Sequence, residues 1–389
     1  MQCHYTAAIV GFGNSGQRFA TLCDEVKIDG AQLLVTCIVD VRNEHEFSGL
    51  SKGTRFTNSI RTAFEMCSYD VIFICTNDNT HFDVLLTISQ YMDRFRIIVC
   101  EKPLTSTLSQ AEVIKRIYGD KSIILNFNER LSEPVRALRR FMGDNDLMIT
   151  RAAFFWGKNR IHDPRPTMGV FSEMAHPIDL AGYVADLGAV YDFKLLNATS
   201  IRSLYSRSDH PVPDSVEMTI AFPNGVILSG SGSYLWDNRD RRVIFYLGKE
   251  LQCARYVAAL RFDHPRWDDD SMEIWDLGMQ PGCMTKIEKP IHLSERIETR
   301  LVGVDKMYRL VGCLIRELQG KRSSELARLD DAIFVQRVLD AIENQPGFAH
   351  HWPGRYAGRP WSPDRLEPST KAEVDYAFHS EASIASSPD

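Results

Sequence analysis

Gly11, Gly13 and Gly16 interrupt an apolar run, Ala7-Ala8-Ile9-Val10, and lead into helix-permitting sequence. Strand, glycine loop and helix in that order suit the cradling of a pyrophosphate. The first glycine permits the turn, the second admits backbone close to the anion, the third lets helix and strand pack, and the helix N-terminus faces the charge. Gly11, Phe12, Gly13, Asn14, Ser15 and Gly16 are therefore expected cofactor-binding residues. A second apolar run, Leu33 to Val39, ends in Asp40, where an acid takes the ribose hydroxyls of a dinucleotide and disfavours a 2′-phosphate. Arg42, two residues on, could reach such a phosphate, so NAD is the favoured cofactor and NADP the alternative.

A second constellation lies at Gly169-Val170-Phe171-Ser172-Glu173-Met174-Ala175-His176-Pro177-Ile178-Asp179. On a helix of about 3.6 residues per turn, Ser172, His176 and Asp179 fall within about 60 degrees of one another and can point into one cleft, while Glu173 is rotated by about 100 degrees. Oxidation of a carbinol carbon requires its hydroxyl proton to leave, and histidine exchanges protons near neutral pH. His176 is the expected acid or base, with Asp179 orienting it or binding a substrate hydroxyl. Lys102, at the end of an apolar run and beside Pro103, is a second catalytic candidate, able to stabilise an alkoxide or lower the histidine pKa. Pro103 fixes the backbone there and suits a cis bond. Upstream, Lys158, Arg160, His162, Asp163 and Arg165 crowd a loop with Pro164 and Pro166. Such a loop suits either recognition of a phosphate, carboxylate or nucleotide diphosphate, or a solvated set of internal ion pairs. Phe155 and Trp156 read as core more than pocket wall. Asp268-Asp269-Asp270 lacks metal-site spacing and is assigned to solvent; no metal is expected.

These residues need a scaffold. Apolar runs alternate with helical stretches to about residue 125: Val71 to Cys75 before the polar turn Thr76 to Thr80, Ile97 to Cys100 before Glu101-Lys102-Pro103, and Ile123 to Leu125. That alternation predicts an α/β fold, a Rossmann doubly wound parallel sheet over residues 1–126. The polar strand ends Gly11 to Gly16, Asp40, Thr76, Asn77, Glu101, Lys102 and Asn126 should then share one edge. Residues 127–346 read as an α+β substrate domain on a mostly antiparallel sheet. It has hairpins at Pro223-Asn224-Gly225 and at Gly248-Lys249-Glu250, the latter with strands at Arg242 to Leu247 and from Leu251. The open face of this sheet suggests a homodimer or homotetramer. Helices at Leu301 to Leu318 and Ser324 to Asn344 can pack back on the first domain. Residues 347–389, with Pro353, Pro360, Pro363 and Pro368 and a serine-rich end, read as a peripheral tail.

Composition excludes several classes. The formal net charge is -6 without a long basic run, which argues against nucleic acid. The nine cysteines lack a CxxC pair and lie partly in apolar runs, as in a reducing cytoplasm. No apolar stretch reaches the ~18 residues of a membrane span, and no secretory signal precedes the first strand.

Together, the glycine fingerprint, the Glu101-Lys102-Pro103 tripeptide, Asn128-Glu129-Arg130 and the glycine-led His176-Pro177-x-Asp179 helix resemble the glucose-fructose oxidoreductase, inositol dehydrogenase and rhizopine catabolism (Gfo/Idh/MocA) family over about residues 6 to 345. Glu288-Lys289-Pro290 repeats the tripeptide outside that strand pattern, so the ordered set carries the resemblance. It implies an NAD(P)-dependent oxidoreductase acting on a sugar, sugar derivative or cyclitol, with Lys102, His176 and Asp179 catalytic. It also implies a cofactor site that includes Thr76, Asn77, His81, Glu101, Lys102 and Asn128, and a substrate site with Lys102, Arg130, Arg160, Arg165, Ser172, Glu173, His176 and Asp179. One departure stands out: Ser172 occupies a position where the family usually has aspartate, so His176 works more nearly alone or Glu173 substitutes. Alternatives are a non-catalytic NAD(P)-binding sensor, an NAD-dependent glycosidase, and an imine or enone reductase.

Overall fold

A computed structural model describes residues 3–42, 53–119, 121–160, 168–187, 192–203, 212–251, 253–278, 285–287, 299, 301, 303–345 and 349–350. The first half contains strands β1 (Cys3–Val10), β2 (Lys27–Ile28), β3 (Ala31–Val39), β4 (Arg55–Thr57), β5 (Tyr69–Ile74), β6 (Phe95–Cys100) and β7 (Ser122–Leu125). Between them run helices α1 (Asn14–Glu25), α2 (Ile60–Met66), α3 (His81–Ile88) and α4 (Leu108–Tyr118). The second half holds α5 (Glu133–Asn145), β8 (Met148–Asn159), α6 (Phe171–Val184), β9 (Lys194–Ser203), β10 (Val212–Ala221), β11 (Ile227–Ser233), β12 (Leu235–Gly248), β13 (Tyr256–Phe262), β14 (Ser271–Asp276) and β15 (Thr285–Lys286). It closes with α7 (Asp305–Leu318), β16 (Ala327–Arg328), α8 (Leu329–Glu343) and β17 (Ala349–His350).

The first sheet has the order β16-β7-β6-β5-β1-β3-β2, with β4 paired to β3. The six strands from β7 through β1 to β4 are parallel, and β2 and β16 are antiparallel additions at the ends. This is a doubly wound Rossmann sheet whose order reverses between β1 and β5. Ala7 to Val10 are all buried because both faces of the sheet are covered. Side chains alternate between two cores: Ala7 and Ile9 meet Phe19 and Leu22 of α1, while Ala8 and Val10 meet Phe64, Leu85 and Ile114 on the opposite face. Met307, Leu310, Val311, Leu314 and Ile315 of α7 belong to the α1 side, so the chain returns from the second sheet to complete the core of the first.

The second sheet runs β15-β14-β13-β12-β8-β11-β10-β9-β17 and is antiparallel except at β8–β11 and β9–β17. The first expected hairpin forms: β10 and β11 pair antiparallel around a turn in which Gly225 has φ +86°. The second differs. Leu247 pairs with Tyr256, so β13 starts five residues beyond Leu251, and a bridge between Glu250 and Cys253 widens the connection. Leu251 is 40% exposed; its apolar side chain is not a strand position facing the core.

Helix α6 lies on the inner face of this sheet. Its buried face includes Met174, and a Cβ on Gly232 of β11 would stand 2.8 Å from Met174 Cγ, so a glycine there allows the helix to approach. The first turn of α6 meets the carboxyl edge of the first sheet, where Lys102 Nζ donates to Ser172 O. Among the described residues no helix is long and apolar enough to cross a membrane.

Candidate active site

At the switch point the ends of β1 and β5 nearly touch. Gly11 has φ +89°, and a Cβ there would sit 2.7 Å from the Thr76 nitrogen, so only glycine fits. Gly13 caps α1 without a side-chain hydrogen bond, and a Cβ on it would meet nothing within 4 Å, which leaves an open cradle over the helix N-terminus. Asp40 ends β3 as a buried carboxylate: Oδ2 accepts from Phe12 N at 2.6 Å, and Oδ1 from Arg42 N at 2.9 Å. The Arg42 guanidinium closes on it at 3.0 Å through both Nε and Nη2. Burial pushes the Asp40 pKa upward, but Arg42 and the two backbone N–H groups outweigh it and hold the carboxyl below its usual range. Ser15 donates to Glu101 Oε1, which also accepts from Asn126 Nδ2 at 2.9 Å. Thr76 Oγ1, Asn126 Oδ1 and Asn128 Oδ1 are buried at the strand ends without hydrogen-bond partners. An open phosphate cradle, an acid at the ribose position and unsatisfied polar atoms beyond β5 and β7 fit a nicotinamide dinucleotide.

The Lys102–Pro103 bond is cis. His81 is fully buried beneath this loop, with Nδ1 2.7 Å from Pro103 O and Nε2 3.2 Å from Thr76 O. It ties two strand-end loops together from below instead of lining the cradle. Lys102 Nζ reaches across to α6, donating to Ser172 O at 2.9 Å and to Glu173 Oε1 at 3.3 Å.

Helix α6 presents three polar side chains at this junction. Ser172 Oγ donates to Asp78 Oδ2 at 2.9 Å, and Met168 N donates to the same oxygen at 3.3 Å. Thus a carboxylate from the loop after β5 stands beside Ser172. Glu173 takes Lys102, Lys158 at 3.2 Å and Arg241 at 2.7 Å. Burial opposes its ionisation, yet these cations hold its carboxyl well below the usual range. The pKa of Lys158 falls to about 8, through burial and then the nearby Arg241, Lys102 and Arg160 charges, against the pull of Glu173. His176 is buried against the Trp156 ring, centroids 5.9 Å apart, and the edge of Phe127 at 6.3 Å. Burial, with Lys102, Arg241 and Lys306 nearby, drives its pKa well below the usual imidazole value, so it rests neutral.

Other expected residues lie elsewhere. Asp179 does not share the His176 cleft. It forms a buried bidentate pair with Arg130, 2.8 Å from Nε and 2.5 Å from Nη2, and Asp331 lies 3.2 Å from the same guanidinium. Both residues of that pair line a separate cavity of about 320 Å³ with Arg139, Tyr183, Asp331 and Phe334. The 60-degree arc of about one helix face does not decide which neighbour each side chain finds, and Arg130 captures Asp179. Arg160, at the end of β8, donates to Tyr234 Oη at 2.9 Å. Arg165, with His162, Asp163, Pro164 and Pro166, lies outside the described residues, as do Glu288-Lys289-Pro290 and the tail beyond His350. Asp268 and Asp270 are not solvated. They turn inward to Lys306 Nζ at 3.2 and 3.3 Å, joined by Asp263 at 3.0 Å, because α7 buries a lysine that needs counter-charge.

Asp78, Glu129, Arg241, Asp263 and Lys306 were not singled out in the sequence. Arg241 alone carried a signal: its position within the apolar alternation Val243, Phe245, Leu247 places it on the buried face of β12.

Residues 5–128 match the family model GFO_IDH_MocA, an oxidoreductase family with an NAD-binding Rossmann fold. This part of the chain is thus similar to the NAD-binding domain of that oxidoreductase family. No curated protein matches the chain in sequence. Solved structures share the fold across both halves. Levoglucosan dehydrogenase in complex with NADH aligns at 17% identity over 87% of this chain and 96% of its own, with a TM-score of 0.68. UDP-N-acetylglucosamine 3-dehydrogenase GnnA from Acidithiobacillus ferrooxidans gives 14% identity, 88% and 97% coverage and a TM-score of 0.65. A point mutant of KijD10, a 3-ketoreductase from Actinomadura kijaniata, with TDP-benzene and NADP, gives 14%, 89% and 98%, and 0.61.

Proposed function

We propose that the protein transfers hydride between a nicotinamide dinucleotide and a carbinol or carbonyl carbon of a sugar, sugar derivative or cyclitol. The observation that carries this reading is the junction itself: Lys102 from the carboxyl edge of the first sheet donates to the first turn of α6, the helix that bears His176. A bound nicotinamide supplies the hydride donor or acceptor. Gly11 to Gly16 cradle its phosphates, and Asp40 serves the ribose.

His176, neutral at rest, accepts the hydroxyl proton during oxidation and returns it during reduction. The Lys102 ammonium donates to the substrate oxygen and stabilises the charge that develops there. Glu173 is held ionised by three cations, which makes it a poor proton acceptor; it anchors Lys102 and Lys158 at the cleft. Lys158 and Arg160 give the substrate side a positive edge, in keeping with an anionic substituent. NAD is the favoured cofactor because a 2′-phosphate would meet the Asp40 carboxylate; Arg42, 44% exposed, is the movable group that could reverse this choice. A small-molecule substrate, homo-oligomerisation through the second sheet and a cytoplasmic setting complete the proposal.

A panel of sugars, sugar phosphates, nucleotide sugars and cyclitols, each with NAD and NADP, is read by the absorbance of reduced nicotinamide. Turnover is expected with at least one polyhydroxylated class. Tight cofactor binding without turnover on any of them would instead favour a sensor.

A further inference from the structure

His176 offers two ring nitrogens in unequal surroundings. Nδ1 is buried and makes no hydrogen bond, and the carboxylate oxygen facing it is Oε1 of Glu129, 3.9 Å away. Glu129 sits on the short turn Asn128–Leu131 that follows β7, and its Oε2 is likewise buried without a hydrogen bond. A buried donor-capable nitrogen without a partner, facing a carboxylate whose other oxygen is also unpaired, is costly unless the two groups pair during the reaction. Hydrogen bonds of this kind are often long in a ligand-free site and tighten on closure.

We propose that Glu129 is the positioning residue of His176, holding the proton on Nδ1 and receiving it when Nε2 takes a proton from the substrate. The proposal rests on the oxidoreductase function above. In oxidation the substrate O–H bond breaks and its proton joins Nε2. The N–H bond at Nδ1 breaks in turn, and that proton joins the Glu129 carboxylate. The imidazole changes tautomer and stays neutral, the carboxylate becomes a carboxylic acid, and the electron pair leaves the substrate with the hydride. Reduction runs the same transfers backward.

The charges around the pair support this assignment. Lys306 from α7 and Arg241 from β12 each lie 3.7 Å from Glu129, close enough to favour its anion but too far for hydrogen bonds. Asp263 and Asp270, beyond them, disfavour that anion, as burial does even more, and its carboxyl titrates near pH 7. Lys102, Glu173, Arg241 and Lys306 face His176, and burial with the three cations makes an imidazolium unfavourable. A histidine that resists protonation needs a partner to take its second proton. Glu173 and Asp263 are poor candidates because each is clamped by hydrogen-bonded cations and held acidic. Glu129 is the member of the cluster whose carboxylate is neither hydrogen-bonded nor locked in charge.

Two readouts test the assignment. In the unsubstituted protein, the ring ¹⁵N shifts of His176, identified by their loss in His176→Asn, should move through a transition near pH 7 as Glu129 ionises; Glu129→Gln should abolish it. In turnover, kcat for oxidation should rise through that pH and kcat for reduction should fall above it. Glu129→Gln should lower kcat by about 10- to 100-fold and flatten this limb, with Glu129→Asp recovering part of both. A His176 ring that shows no transition near pH 7 in the unsubstituted protein, or a folded Glu129→Gln with the parent pH profile, overturns the proposal. The ring measurement needs neither substrate nor cofactor, so failure to find a substrate would count against the proposed function alone.

Discussion

His176 is the residue on which the chemistry turns, and its environment decides how it acts. Burial between Trp156 and Phe127, with cations around it, keeps the imidazole neutral, ready to accept a proton but reluctant to hold charge. His176→Ala should leave cofactor affinity within about twofold, because the helix belongs to the second sheet. Turnover should drop by about two to four orders of magnitude, as for loss of a general acid or base. Steady-state rates alongside cofactor titration separate the two. Parent-like turnover would make His176 structural and move the proton path to Lys102 or Lys158.

At the scale of elements, the junction of the β5 loop with α6 replaces something within the helix. Where aspartate is usual in the resembling family, Ser172 donates to Asp78, so the carboxylate arrives from the opposite element. Ser172→Asp should therefore place two carboxylates against each other and lower kcat/KM by about tenfold or more, through like-charge repulsion. The exchange Ser172→Asp with Asp78→Ser should recover most of that loss. A single Ser172→Asp with parent activity, or an exchange that recovers nothing, would show that the pair is incidental. The loop before α1 makes a second prediction. A side chain at Gly13 meets no protein atom within 4 Å, so Gly13→Val should fold with a parent-like melting temperature. The isopropyl group fills the cradle, and cofactor affinity should fall at least about 100-fold. Unchanged affinity would remove the dinucleotide from this loop.

For the molecule as a whole, the decisive feature is the return of α7 to the first sheet's core with a buried lysine. Lys306 Nζ lies within 3.3 Å of Asp263, Asp268 and Asp270, which come from the β13–β14 connection of the second sheet. The cluster joins the two halves directly behind the site. Lys306→Met should cost about 3–5 kcal/mol, because it strands buried carboxylates without counter-charge. A denaturation midpoint close to the parent's would show that water or side-chain movement relieves those carboxylates.

The sequence by itself determined the first sheet and the phosphate cradle. Both are local: Gly-x-Gly-x-x-Gly fixes a turn within six residues, and continuous apolar runs such as Ile72 to Ile74 leave no polar face for solvent. The sequence also marked Lys102, Ser172, Glu173 and His176 through their places at a strand end and on one helix. It could not say which partner each would meet. Asp179 shares the helical face of His176 but is drawn to Arg130, Asp268 and Asp270 read as a solvated run but enclose Lys306, and Glu129 lay unnoticed between two residues of a motif. Buried charges choose partners by Coulomb interaction and desolvation at distances of a few ångströms, across sequence separations such as the 43 residues between Lys306 and Asp263. Helical or strand periodicity carries no information about such pairs; only the packing of α6 and α7 against the two sheets decided them.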